Sequence, residues 1–90
     1  MVDSEALRVA LGRVVRRIRE DVGLSQTALA PLIHRSRSWI SALENGGGNP
    51  QVRDLVAIAR VLGQSPASVI KEALRFDSKE RPSRRMARKL

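Results

Sequence analysis

Residues 25–45 read SQTALAPLIHRSRSWISALEN, two short amphipathic segments on either side of a tight polar connection. Ser25 stands where a hydroxyl can accept from the free N–H groups of a following helix, and Ser36 stands likewise before the second segment. Leu29, Ala30, Leu32 and Ile33 supply the inward face of the first helix, Ile40 and Leu43 that of the second. Pro31 lacks a backbone donor and crowds the preceding turn, at a cost of about 3 kcal/mol in a regular helix interior. The expectation is a kink or an early end to that helix, because the apolar pattern persists through Ile33. His34-Arg35 forms the connection. Asn45-Gly46, with Gly47, Gly48, Asn49 and Pro50 behind it, stops the second helix.

Outward from this pair, the chain reads as further helices. The first begins near Asp3 or Ser4 and places Leu7, Leu11, Val15, Ile18 and Val22 on one apolar face. Arg8, Arg13, Arg16, Arg17 and Glu20 lie opposite, Gly23 terminates the helix, and Leu24 packs back on the core. A fourth helix runs from about Gln51 to Leu62, with Val52, Leu55, Ile58, Ala59 and Leu62 inward, and Gly63 ends it. Ser65-Pro66 is a cap followed by a first-turn proline, opening a fifth helix through Val69, Ile70, Ala73 and Leu74. After Phe76 the apolar pattern fails. The chain is thereby divided into a helical domain, residues 1–76, and a flexible basic tail, residues 77–90, carrying Arg81, Arg84, Arg85, Arg88 and Lys89.

Composition narrows the fold class. Ninety residues suffice for one domain, and with 42% hydrophobic residues but only one Phe, one Trp and no Tyr, the core must be aliphatic. Such cores suit packed helices, so the expected class is all-α. Without cysteine there is neither a disulfide nor a thiolate metal site, and His34 is the single histidine; no cofactor and no metal are expected. No apolar run approaches the ~20 residues of a membrane span, and no secretory signal opens the chain, so a cytoplasmic, nucleoid-associated protein with no membrane partner is expected. The formal charge of +8 points to a polyanion.

The fragments Gly23-Leu24-Ser25-Gln26, Leu29-Ala30, Ser36-Arg37-Ser38-Trp39-Ile40-Ser41 and Leu43-Glu44-Asn45-Gly46 occur in order, followed by Asn49-Pro50, Leu55, Ala59, Leu62-Gly63 and Ser65-Pro66. In this order and spacing, from roughly Leu11 to Leu74, the chain resembles the Cro/C1-type (XRE-like) helix-turn-helix family of phage repressors and bacterial regulators. The resemblance implies a five-helix, lambda-repressor-like all-α domain in which the third helix enters the major groove of double-stranded operator DNA. It implies base contacts by Arg37, Ser38, Ser41 and Ala42, the arginine through guanine O6 and N7 and the alanine through a thymine methyl. It implies backbone contacts by Ser25, Gln26, Arg35, Ser36, Trp39, Asn45 and Gly46, and an internal ion pair between Arg19 and Glu44.

The chain also departs from the family. His34 replaces a usual glycine and must accept a left-handed conformation, unless the turn changes shape. Arg35 replaces an apolar residue and can point to DNA instead of the core. Ala28 replaces the acidic residue that would complete a capping box with Ser25. The function implied is transcriptional regulation, as a repressor acting as a homodimer, with helix 5 (Val69, Ala73, Phe76) as a candidate dimer surface. An antitoxin or adaptor that also binds a protein partner is the alternative. The tail is open between DNA, an acidic partner and a solubilising role. Enzymatic activity is not expected: no cysteine nucleophile exists, and Gly46-Gly47-Gly48 ends a helix where a nucleotide cradle would follow a strand.

Overall fold

The computed structural model describes residues 4–79. Among them are five α-helices and no strand: α1 (Ser4–Val22), α2 (Gln26–Leu32), α3 (Arg37–Glu44), α4 (Val52–Val61) and α5 (Pro66–Lys79). The three serines act as caps. Ser25 Oγ accepts from the Ala28 N–H, Ser36 Oγ from Trp39 and Ser65 Oγ from Ser68, each at 3.0 Å. α4 begins differently, because the Gln51 N–H donates to Asp54 Oδ2 at 2.8 Å, a reciprocal bond from the third residue of the helix.

The first four helices end alike. A crossed pair of backbone bonds closes each, with one residue in the left-handed region between them. At α2 the Arg35 N–H donates to Ala30 O (2.9 Å) and the His34 N–H to Pro31 O (3.2 Å). Glycine fills the left-handed position at the other three ends, but at α2 it is His34, with φ 58°. The left-handed conformation expected for His34 is therefore present. It costs an L-residue roughly 1–2 kcal/mol, and glycine's extra unfolded-state freedom offsets about half of that. His34→Gly is expected to raise the unfolding free energy by about 0.5–1 kcal/mol, measured by denaturant titration. A loss of stability would mean that the imidazole holds the turn through contacts of its own.

α2 runs through Pro31 and ends at Leu32, with Ile33 as its cap, so the proline sits inside the last turn of the helix. α1 is the central helix, packing along α5 and against α3; α2 packs on α3, and α4 on α5. The core takes Ala10, Leu11, Val14, Val15 and Ile18 from α1, Leu29, Ala30 and Ile33 around α2, and Ile40 and Leu43 from α3. Ile58, Ala59 and Leu62 join from α4, with Val69 and Ala73 from α5. Four residues expected inside are not. Val22, Leu32, Val52 and Leu74 are 50%, 55%, 76% and 38% exposed. The first three lie at helix ends, where the periodicity still holds but no neighbouring helix reaches far enough to cover them.

Two arginines of α1 hold α5. Arg17 pairs with Glu72 at 3.8 Å, and the Arg13 guanidinium lies over the Phe76 ring, 5.6 Å from its centre. Val69 and Ala73 are buried within the protomer, so they cannot form the dimer surface suggested for helix 5. α5 runs to Lys79, so Asp77, Ser78 and Lys79, assigned to the tail, are helical. Propagating a formed helix adds one hydrogen bond per residue and needs no apolar face. Arg81, Arg84, Arg85, Arg88 and Lys89 lie outside the described residues.

Candidate nucleic-acid interface

α3 divides into two faces. Ile40 and Leu43 are buried, and they seat the helix on α1 and α2. Arg37, Ser38 and Ala42 point out, with Ser41 half-buried beside them and Asn45 exposed at the far end. The four expected base-reading residues therefore share the outer side of one short, anchored helix. Ser36 and Ser25, expected at the DNA backbone, are exposed, but each hydroxyl already accepts the capping bond described above. Asn45 donates from Nδ2 to Ser41 O at 2.8 Å. Gly46 is the left-handed residue at the end of α3, against Val9 of α1: a Cβ there would lie 2.9 Å from Val9 Cγ2.

Behind this face lies the expected ion pair. Arg19 donates from Nε to Glu44 Oε2 at 2.7 Å and from Nη2 to Glu44 Oε1 at 2.9 Å, and its Nη1 donates to Leu24 O at 2.6 Å. The side chains are 8% and 2% exposed, so this is a buried, bidentate pair. The hydrogen bond to Glu44 outweighs the burial that opposes it and raises the Arg19 pKa further above its already high ordinary value. Gln26, the first residue of α2, joins the same carboxylate: its Nε2 donates to Glu44 Oε1 at 3.0 Å. On its other side, Gln26 Oε1 accepts from Arg37 Nη1 at 3.4 Å.

A second pair fastens the turn. Arg35 neither enters the core nor stands away from the protein. It folds onto α4, donating from Nε and Nη2 to Asp54 Oδ1 (3.1 and 2.9 Å) and from Nη2 to Oδ2 (3.1 Å). Its guanidinium also lies over the Trp39 ring, 4.7 Å from the centre. Trp39 is half-buried, with its ring packed against the core and under Arg35. Asp54 thus serves two elements at once, as the helix cap of α4 and the anchor of the turn before α3. Neither Asp54 nor Gln51 stood out in the sequence; the spacing of an acid three residues after the cap was the available signal.

The balance at Asp54 sets a pH dependence. Burial pushes its carboxyl up, but the Gln51 N–H, the Arg35 hydrogen bonds and the charges of Arg35 and Arg53 together pull it below the ordinary value of 3.8. A carboxyl with a depressed folded-state pKa contributes stability that is fully present above its unfolded pKa and is lost as pH falls through the folded value. The stability advantage of the protein over Asp54→Asn should therefore be constant above about pH 5 and vanish well below pH 4. Denaturant midpoints across that range check it, and a constant difference down to pH 2 would refute it.

Every buried side-chain polar atom among the described residues has a hydrogen-bond partner. No group of three or more potential metal ligands gathers among those residues, and none of their helices is long and apolar enough to cross a membrane.

Residues 10–69 match a family described as a helix-turn-helix domain. The clp gene regulator ClgR from Corynebacterium glutamicum superposes with a TM-score of 0.83 at 32% identity, over 91% of this chain and 87% of that one. The restriction-modification controller protein C.AhdI from Aeromonas hydrophila superposes at 0.65 with 31% identity, over 68% of this chain and 92% of that one. Hydroxypropylphosphonic acid epoxidase from S. wedmorenis superposes at 0.64 with 32% identity, over 69% of this chain but only 33% of the enzyme. No curated protein sequence matches the chain.

Proposed function

The chain belongs to the helix-turn-helix family, and from that premise we propose that it is a Cro/C1-type transcriptional repressor reading operator DNA through α3. The observation that carries the reading is the outer face of α3. Arg37, Ser38 and Ala42 stand exposed on a helix whose opposite side is locked into the core by Ile40 and Leu43. An eight-residue helix held this way can enter the major groove without rearranging. Arg37 supplies a fork suited to guanine O6 and N7, Ala42 a methyl suited to thymine, and Ser38 and Ser41 hydroxyls suited to either strand's base edges. The +8 charge supplies the sequence-independent attraction to phosphate.

Regulation, as opposed to binding alone, draws support from ClgR and C.AhdI, which are named as a gene regulator and a controller protein. The enzyme among the similar structures gives no support for catalysis here, since this chain spans only a third of it. We assign the backbone contacts to Gln26, Trp39, Asn45 and Gly46, and place the homodimer on two half-sites about one DNA turn, ~34 Å, apart.

Selection from randomised duplex DNA tests the proposal. A preferred, roughly palindromic sequence should emerge, bound ever more weakly as salt rises. On that sequence Arg37→Ala should cost about 1–3 kcal/mol and relax preference at one or two base pairs. Equal weakening on all sequences would make Arg37 a phosphate ligand, and no duplex binding at low salt would remove the DNA reading altogether.

A further inference from the structure

His34 stands where a side chain is costly, and no contact within the protein offsets that cost. Glycine fills the left-handed position at the other three crossed helix ends, whereas His34 holds φ 58°. Its imidazole is exposed and makes no hydrogen bond or ion pair among the described residues. Backbone strain of this kind collects at binding and catalytic sites. The imidazole lines a cleft of about 370 Å³ between the turn and α4, together with Ile33, Arg35, Arg53, Asp54 and Ala57. The cleft holds donors in surplus. Asp54 is buried and both its oxygens already accept, Oδ1 from Arg35 Nε and Nη2, Oδ2 from Arg35 Nη2 and the Gln51 N–H. Arg35 Nη1 and the whole Arg53 guanidinium make no hydrogen bond or ion pair among the described residues. Two guanidinium groups thus face one carboxylate, and the cleft wall carries an excess of positive charge.

We propose that this cleft is a binding site for a phosphate group. His34 donates from its imidazole N–H, Arg35 from Nη1 and Arg53 from its fork, a set of donors suited to a tetrahedral oxyanion. Asp54 opposes an anion, but the Arg35 that it holds balances its charge, and Arg53 is left over for the ligand. The phosphate is either free in solution or part of a DNA backbone, and the chemistry of capture is the same. The site does not depend on α3 reading bases. It accounts for a histidine at a position where glycine would be the more stable residue.

His34→Gly and Arg53→Met test the site in a pair of titrations. His34→Gly relaxes the turn and is expected to be more stable than the unaltered protein, so a loss of binding cannot come from unfolding. Arg53→Met removes an exposed guanidinium and keeps an aliphatic stem, and circular dichroism checks its fold. In the first titration inorganic phosphate is added at constant ionic strength, made up with chloride, while backbone amide NMR shifts around the turn and the start of α4 are followed. The unaltered protein should bind saturably, and each variant roughly tenfold more weakly. In the second, duplex DNA replaces phosphate. Capture of a backbone phosphate should leave each variant roughly tenfold weaker on every sequence alike, and Arg53→Met should reduce the salt slope by about one. Weakening in the first titration alone identifies a free phosphate; weakening in the second, with or without the first, identifies a phosphate of the duplex. Affinities left unchanged by both substitutions in both titrations would overturn the proposal, and so would weakening confined to particular base pairs.

Discussion

Gly12→Ala should destabilise the protein, although it places a better helix former in the middle of α1. Helix propensity alone would favour alanine by about 1 kcal/mol. Gly12 is, however, the point at which α1 approaches the last turn of α3. A Cβ built there falls far inside van der Waals contact distance of the Leu43 carbonyl oxygen and 3.1 Å from the carbonyl carbon and oxygen of Glu44. These are backbone atoms, and they cannot swing aside as the tip of a flexible side chain would. Leu43 O also accepts from the Gly46 N–H at 3.0 Å, so moving it loosens the end of α3. Overpacking of this kind costs about 1–3 kcal/mol. Because rigid backbone stands in the way, the upper end applies, and after the propensity gain a net loss of about 2 kcal/mol remains, or roughly 10 °C in Tm for a domain of this size. Thermal unfolding followed by circular dichroism measures it. An increase in Tm, as propensity would dictate, would show that the two helices do not meet at Gly12.

Glu44→Ala should cost more, about 3–5 kcal/mol. The carboxylate receives both Nε and Nη2 of Arg19, and also Nε2 of Gln26. Its removal leaves a guanidinium that is 8% exposed facing only Leu24 O and the exposed Glu20 carboxylate 4.0 Å away. Arg19→Met strands the opposite charge at a still more buried position and should cost a similar amount. A loss of that size approaches the whole stability of many small domains, about 5 kcal/mol at the low end. The double variant Arg19→Met/Glu44→Leu is therefore the informative control: with both charges gone, most of the loss should be recovered. The Arg16–Glu20 pair provides the contrast, because its side chains are 60% and 54% exposed. Arg16→Ala should change stability by less than about 1 kcal/mol. Urea titration of the four variants compares them directly. Single-variant costs near that of Arg16→Ala would mean that the Arg19–Glu44 pair is open to solvent.

Much of the candidate interface was legible because it is local. Serine caps and helix stops depend on a few consecutive residues and were readable from their own neighbourhood, whereas the left-handed conformation of His34 came from the resemblance. The Arg19–Glu44 pair, 25 residues apart, came from resemblance; no spacing rule links two charges on different helices. Arg35 defeated a local reading. Its neighbours leave it free to turn toward DNA, whereas Asp54, from a helix that begins 17 positions later, draws it back across Trp39. Val69 and Ala73 fit an apolar stripe equally well as core or as dimer surface, until α1 is seen to cover them.

The amino-acid order by itself determined the five helices, the three serine caps and the outward stripe of α3. Those features arise from backbone hydrogen bonding and from apolar spacing within one helix, and neither requires knowledge of what lies across the core. Only the tertiary structure decided that Gly12 is a contact point, that Val22, Leu32 and Val52 are left uncovered, and that Glu44 reaches through Gln26 to Arg37. Each of these depends on where a second helix ends or how closely it approaches, to within an ångström or so. That distance is set by packing of the whole domain, and periodicity along one segment carries no record of it.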